Sequence, residues 1–428
     1  MNTSPHLLIG QQIQSSPNAF HATAQLVQLF EQRGFKRLSE ADTWNALTPG
    51  GYYVIRNESS LIAFTLTGES IAERGFAMVG AHTDSPCLKL KPKPDVFKQG
   101  YFQLSVEVYG GALLNPWFDR DLSLAGRVSF LTTKETVKTA LIDFKRPIAI
   151  IPSLAIHLDR DANKKRSINA QTDILPILGL ASAQTFKEIC LQQMQKENIQ
   201  DISALLDFEL FFYDTQEPRL IGLDEAFLAS ARLDNLVSCF LATQSLLDAP
   251  VKRPMLLVCN DHEEVGSAST CGANGPFLHT VLERLANTQS ELHQCIHRSL
   301  FLSVDNAHGI HPNFPDKHDE HHGPLLNSGP VIKMNANQRY ATNAQTSAYI
   351  QMIARQHAVP LQSFVVRSDM ACGSTIGPIT ASEIGVKTLD IGIPTFAMHS
   401  IRELAGCLDM DYLYQLIKGF YQHEGAFI

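Results

Sequence analysis

The sequence predicts an α/β protein in which a mainly parallel sheet covered by helices carries an inserted β-rich segment. From about Asp234 onward, compact apolar runs (Met255 to Cys259, Leu300 to Val304, Phe364 to Val366, Thr388 to Ile391) alternate with helical patterns. That is the texture of parallel strands buried on both faces. Before it, Phe102, Leu104, Val106 and Val108, then Leu124, Val128 and Phe130, and later Phe208, Leu210 and Phe212, alternate with polar residues as antiparallel strands do. A chain of 428 residues is long for one core, so two folding units are expected: residues 1–92 with 233–428, and an insertion at 93–232.

Taken in order, Ser16-Pro17 is expected to cap a first amphipathic helix whose apolar face is Phe20, Ala24, Val27 and Phe30. Tyr52 to Ile55 and Leu61 to Leu66 read as a hairpin around Asn57-Glu58-Ser59-Ser60, followed by a short strand from Phe76 to Val79. One helix, around Phe186, Ile189, Cys190 and Met194, interrupts the β-rich middle. Hydrophobic residues at 44%, charged residues at 18% and a net charge of −8 describe a globular chain without the basic stretches that track a phosphate backbone, so no nucleic-acid partner is expected. The first twenty residues lack the pattern of a signal peptide and the longest apolar run, near Ile148 to Ile156, falls far short of a bilayer span. With eight scattered cysteines and no CxxC pair, the expectation is a cytoplasmic protein with reduced thiols and no membrane contact.

Ligands of open α/β sheets bind beyond the carboxyl ends of the strands. Those ends deliver His82 and Asp84, then Asp261, His262, Glu263 and Glu264, then Asp305, then His399, while Asp234 opens the helix after the insertion. Carboxylates with imidazoles and no thiolate suit zinc, or manganese or cobalt where oxygen dominates. An isolated His-x-Asp is commonly a surface pair, and an Asp before a helix is commonly a cap. Adjacent Glu263-Glu264 after an apolar strand repel each other, and a nearby dication is the simplest relief.

Gly80-Ala81-His82-Thr83-Asp84-Ser85-Pro86, Asn260-Asp261-His262-Glu263-Glu264-Val265-Gly266-Ser267, Ser303-Val304-Asp305-Asn306-Ala307-His308 and Ala397-Met398-His399-Ser400 resemble the metal-binding motifs of the aspartyl aminopeptidase family, and the bacterial members are the nearest match. The resemblance extends over nearly the whole chain, including Asn115 to Leu122 and Ile156 to Arg160. It implies a dinuclear zinc exopeptidase fold with two Zn2+ per subunit, Mn2+ or Co2+ being alternatives. Asp234 would bridge the metals, His82 and Asp305 would hold one, Glu264 and His399 the other, and Glu263 would be the general base. Asp84 would orient the His82 imidazole, and the peptide after Asp234 would be cis. The insertion would be the dimerisation domain of a homo-oligomer of twelve subunits, its His157 reaching a neighbouring active site. His308, Lys333 and Tyr340 would line the substrate pocket, with Lys333 meeting an acidic side chain and Arg339 and Arg367 as the other cations considered.

The function expected is therefore removal of N-terminal Asp or Glu from peptides. The rival readings are an aminopeptidase for neutral residues, a related dimetal amidohydrolase, and a scaffold that kept only the shape. The remaining histidines of the stretch from His308 to His322 read as surface residues of a loop, and Cys372 to Pro378, lacking a P-loop lysine, as tight backbone beside the active site.

Overall fold

The computed structural model describes residues 5–44, 47–181 and 183–427. Its contacts divide the chain into two units, Met1–Asp84 with Pro218–Met398 and Glu403–Ile428, and Ser85–Glu217 with His399–Arg402.

The first unit is built on a nine-stranded sheet in the order Lys36–Arg37, Gly50–Arg56, Ser60–Leu66, Met255–Asn260, Ala77–His82, Leu300–Val304, Lys387–Gly392, Val331–Met334 and Gln362–Val365. The four strands from Met255–Asn260 to Lys387–Gly392 run parallel, as the βα alternation requires. The hairpin on one side and Val331–Met334 on the other add antiparallel pairings, so the sheet is mixed. Both faces are dry. Ala77, Val79, Ala81, Leu257, Cys259, Leu302 and Val304 pack into one core with helices Ala19–Gln32, Leu233–Asp248, Ala344–Gln356 and Cys407–Gln422. Met78, Leu256, Val258 and Phe301, one residue out of phase, pack into the other with Phe277–Leu285 and Gln289–Arg298. A strand sandwiched in this way has no polar face, which is why these strands read as unbroken apolar runs. A second, five-stranded sheet orders Arg219–Ile221, Phe227–Ser230, Glu403–Gly406, Pro394–Phe396 and Ala307–His308.

The second unit is an antiparallel six-stranded sheet, Val137–Asp143, Leu122–Thr132, Ile202–Asp214, Cys87–Lys98, Tyr101–Tyr109 and Ile177–Leu180. Its core of Leu104, Leu124, Val128, Leu210 and Phe212 is covered by helix Phe186–Lys196, whose Thr185 and Glu188 form a capping box. The unit begins at Ser85, not at residue 93, because strand Cys87–Lys98 pairs with Tyr101–Tyr109 from its first residue. It ends at Glu217, before residue 232, because Phe227–Ser230 pairs with Glu403–Gly406 in the first unit.

The hairpin is present, and its turn residues Asn57 and Glu58 both have positive φ, 55° and 57°, as a type I′ turn needs. The first expected helix starts later than Ser16-Pro17. It spans Ala19–Gln32 and is capped by Asn18, whose side chain accepts from the His21 amide at 3.2 Å. Ser16 instead donates its hydroxyl to the Gln12 carbonyl, closing an earlier helix, Pro5–Gln14. That helix buries only Ile9 and Ile13, too narrow a stripe to mark it in the sequence. Among the described residues no helix is long and apolar enough to cross a membrane.

Candidate metal centre

Three strand ends and one helix start of the first unit converge. Strand Ala77–His82 ends on a buried imidazole, and Thr83 donates its amide to the Asn260 carbonyl of the neighbouring strand. Asp305 follows Leu300–Val304 directly, its amide bound to the Ile391 carbonyl at 2.9 Å. Glu263 and Glu264 open a short 3-10 turn after Met255–Asn260. Asp234 lies at the start of helix Leu233–Asp248 with non-helical φ/ψ of −84° and 108°, and the Asp234–Asn235 peptide is cis. Its amide donates to Glu403 Oε2 at 2.9 Å, while Asn235 Nδ2 donates to the Val304 carbonyl at 2.8 Å, tying this helix to the strand that precedes Asp305.

The result is one imidazole ringed by carboxylates: His82 Nε2 lies 3.5 Å from Asp234 Oδ1 and 3.9 Å from both Glu263 Oε2 and Asp305 Oδ1. Metal–ligand bonds of about 2.0–2.2 Å put neighbouring tetrahedral ligands roughly 3.3–3.5 Å apart, so these donors stand close to the spacing around one ion. His82, Asp234 and Asp305 indeed form a group with one ligand atom each within 4.8 Å, and so do His82, Glu263 and Glu264. Burial alone would depress the His82 pKa, yet Asp234, Asp305 and Asp84 hold it well above its ordinary value. Burial and the neighbouring carboxylates push Glu263 up to about 7, against the opposing pull of His82, and burial followed by Asp234 holds Glu264 well above its ordinary value. A donor set in which buried carboxylates crowd one another fits a bound dication.

Asp84 does more than the sequence suggested. His82 Nδ1 pairs with the Asp84 main-chain carbonyl at 3.1 Å, its carboxylate standing at 3.4 Å. That carboxylate accepts the amides of Glu263 at 3.2 Å and Glu264 at 3.1 Å, so one side chain positions the turn bearing both glutamates. His399 falls in the second unit, its Nδ1 3.2 Å from the Gly111 carbonyl. His157 lies there too, exposed in a turn beside exposed Leu154, Ile156 and Leu158.

Lys333 is not a solvated lysine. It is 2% exposed, donates to the Asn306 carbonyl at 3.1 Å, stands 3.6 Å from Asp305 Oδ2 and 5.2 Å from the centre of the Tyr340 ring. Tyr340 and His308 line a pocket of about 290 Å³ with Phe364, Cys372 and Phe396. His311 and His318 also line it, so part of the histidine-rich loop faces a cavity, and Cys372 and Gly373 place the expected tight segment there. Arg339 is exposed, and Arg367 is engaged by Asp369 at 2.7 Å. Two carboxylates escaped the sequence reading. Glu403, which holds the Asp234 amide, follows His399 closely enough to have been suspected. Asp390, fully buried, accepts from Thr375 Oγ1 at 2.5 Å and from the Ala341 amide at 2.6 Å, and a carboxylate inside the apolar run Thr388 to Ile391 was the available signal.

Comparison with known proteins is consistent with this geometry. Residues 12–421 match the family described as aminopeptidase I zinc metalloprotease (M18). A probable M18 family aminopeptidase 2 of Ectopseudomonas mendocina (strain ymp) is 56% identical over 412 residues, 96% of each chain. Among solved structures, the chain in the cryo-EM structure of the Ape4 and Nbr1 complex is 38% identical with a TM-score of 0.94, covering 98% of this chain and 85% of that one. The S. cerevesiae mApe1 dodecamer is 29% identical with a TM-score of 0.85, covering 98% and 96%. The chain therefore belongs to the M18 family, the aspartyl aminopeptidases, and is a zinc-dependent metalloaminopeptidase with bacterial relatives.

Proposed function

We propose that this aminopeptidase removes N-terminal aspartyl or glutamyl residues from peptides, with two zinc ions per subunit and Glu263 as general base. The observation that carries the reading is the buried His82 with Asp234, Asp305 and Glu263 within 3.5–3.9 Å of its Nε2. His82, Asp234 and Asp305 would hold one ion, and Asp234, Glu264 and His399 the other, as the resemblance to the family implies. Zinc bound there supplies Lewis acidity, which lowers the pKa of water and polarises the scissile carbonyl. Glu263 takes a proton from the attacking water and gives it to the leaving amine nitrogen, a task suited to a carboxylate held in reach by the hydrogen bond that the Glu263 main-chain N–H donates to the Asp84 carboxylate. Asp84 and Glu403 position the Glu263-Glu264 turn and Asp234.

Lys333 is the cation we assign to the substrate's acidic side chain. Its buried ammonium beside the pocket bearing Tyr340 and His308 supports this, since a dry cation pairs with a carboxylate far better than a solvated one. Phe364, Val366 and Phe396 in the pocket wall support the second reading, a preference for neutral residues. We further assign the chain to a cytoplasmic homo-oligomer, a dodecamer like its S. cerevesiae relative, with His157 serving a neighbouring subunit; the eight free cysteines accord with a reducing compartment. The test is hydrolysis of aspartyl, glutamyl and leucyl chromogenic substrates before chelation, after it, and after zinc restoration with the bound zinc counted. Faster cleavage of the acidic substrates, lost on chelation and recovered with two ions, is expected. A leucyl preference would overturn the acidic assignment, and full activity with one ion would overturn the pair.

A further inference from the structure

The turn that bears Glu263 and Glu264 belongs to a loop closed tightly on itself. The Ser267 amide donates to the His262 carbonyl at 2.7 Å, the Asn274 amide to the Ser267 carbonyl at 3.2 Å, and Asn260 Nδ2 to the Cys271 carbonyl at 3.1 Å. Gly272 makes the closure possible, because a Cβ there would lie 2.2 Å from the Ser267 carbonyl oxygen. This folding lays Cys271 against the ring of His262, nine residues earlier. His262 Nδ1 is 3.5 Å from Cys271 Sγ, and its Nε2 is 3.5 Å from Asp261 Oδ2. Ser269 Oγ stands 2.8 Å from Nδ1 and 3.5 Å from Sγ.

We propose that Asp261, His262 and Cys271 form a separate, thiolate-containing site for one thiophilic divalent cation, Zn2+ or Cd2+. One ligand atom from each of the three lies within 4.8 Å of the other two. Tetrahedral bonds of about 2.3 Å to sulfur and about 2.0 Å to nitrogen give an S···N edge of roughly 3.5–3.6 Å, the separation found between Cys271 Sγ and His262 Nδ1. Asp261 and Cys271 are buried, so the donors are held in place before any ion arrives, and a carboxylate with a thiolate supplies the negative charge a dication needs. The His82 centre offers only imidazole and carboxylate, so sulfur ligation separates the two sites chemically. The site adds a third cation to those proposed above and does not depend on their number. The competing explanation of the same 3.5 Å contact is a thiol that merely hydrogen-bonds the imidazole.

The experiment uses the full-length, zinc-loaded protein titrated with Cd2+, read by the ultraviolet charge-transfer absorption that only a cadmium–thiolate bond produces. The wild type is expected to develop a band that saturates with one added Cd2+ per subunit, and to lose it as Zn2+ competes. Cys271→Ser, whose aminopeptidase activity should be retained, is expected to show no such band, and His262→Gln to bind Cd2+ roughly tenfold or more weakly. No band in the wild type, or an equal band in Cys271→Ser from another cysteine, would overturn the proposal. If Cys271→Ser does not fold, His262→Gln decides: unchanged Cd2+ affinity overturns the site and weakened affinity upholds it.

Discussion

Glu263 is the residue whose surroundings say most about its work: its carboxyl sits 3.9 Å from His82 Nε2, is pushed up to about 7 by burial, and has its backbone pinned to Asp84. Glu263→Gln keeps the shape and removes the proton acceptor, so turnover should fall by roughly a hundredfold to ten-thousandfold while zinc content, measured by mass spectrometry of metals, stays at the wild-type level. Near-normal turnover with zinc in place would remove Glu263 from the base role. Lys333→Met should lower kcat/KM for aspartyl and glutamyl substrates by roughly ten- to a hundredfold relative to leucyl ones, since a buried charged hydrogen bond is worth about 1.5–3 kcal/mol. An unchanged ratio would return Lys333 to a purely structural pairing with Asp305. Glu263 was legible because it follows the abrupt end of an apolar run, whereas Lys333, inside strand Val331–Met334, was legible only through the resemblance to the family. Glu403 and Asp390 were not, because their partners, the Asp234 amide and the Ala341 amide, are 169 and 49 residues away in sequence.

The central strands of the first unit were legible as elements because burial on both faces leaves them few polar residues to blur the signal. Helix Pro5–Gln14, with two buried residues, carried almost none of that signal. Position in the sheet also places the candidate ligand Asp305: Gly392, at the end of Lys387–Gly392, lies so close to the Asp305 main chain that a Cβ would meet its carbonyl oxygen at 1.8 Å. Gly392→Ala must therefore push the two segments apart, at a cost of about 1–3 kcal/mol, and displace Asp305 from the group it forms with His82 and Asp234. Urea unfolding should show the loss of stability, and metal analysis a weaker hold on zinc. A variant as stable and as zinc-rich as the wild type would mean that the two strands can separate without disturbing the site.

Over the whole molecule, the crowded carboxylates make cation binding part of stability. Glu263 is raised in the folded protein, so the stability its proton brings is fully present below the unfolded carboxylate value of about 4.5 and lost as pH climbs through about 7, and Glu264, also raised, acts in the same direction. His82, also raised, contributes stability below about 6.5 that disappears as pH rises through its folded value, which adds in the same direction. The chelated protein should thus lose stability between about pH 5 and pH 8, and the Tm gap between zinc-loaded and chelated forms should widen as pH rises. A gap that narrows would contradict the carboxylate cluster. At the level of assembly, His157→Ala should cut turnover while leaving zinc content and native mass unchanged, and a fully active monomer would remove the shared-site role. The sequence by itself determined the α/β class, the family, and the residue types offered at each strand end, because apolar periodicity and short motifs are local properties. Only the tertiary structure decided that Lys333 is buried beside Asp305, that Asp84 holds both glutamate amides, and that Cys271 lies on His262. Those contacts arise from strand order and loop closure, which bring together residues whose separation along the chain carries no trace of the encounter.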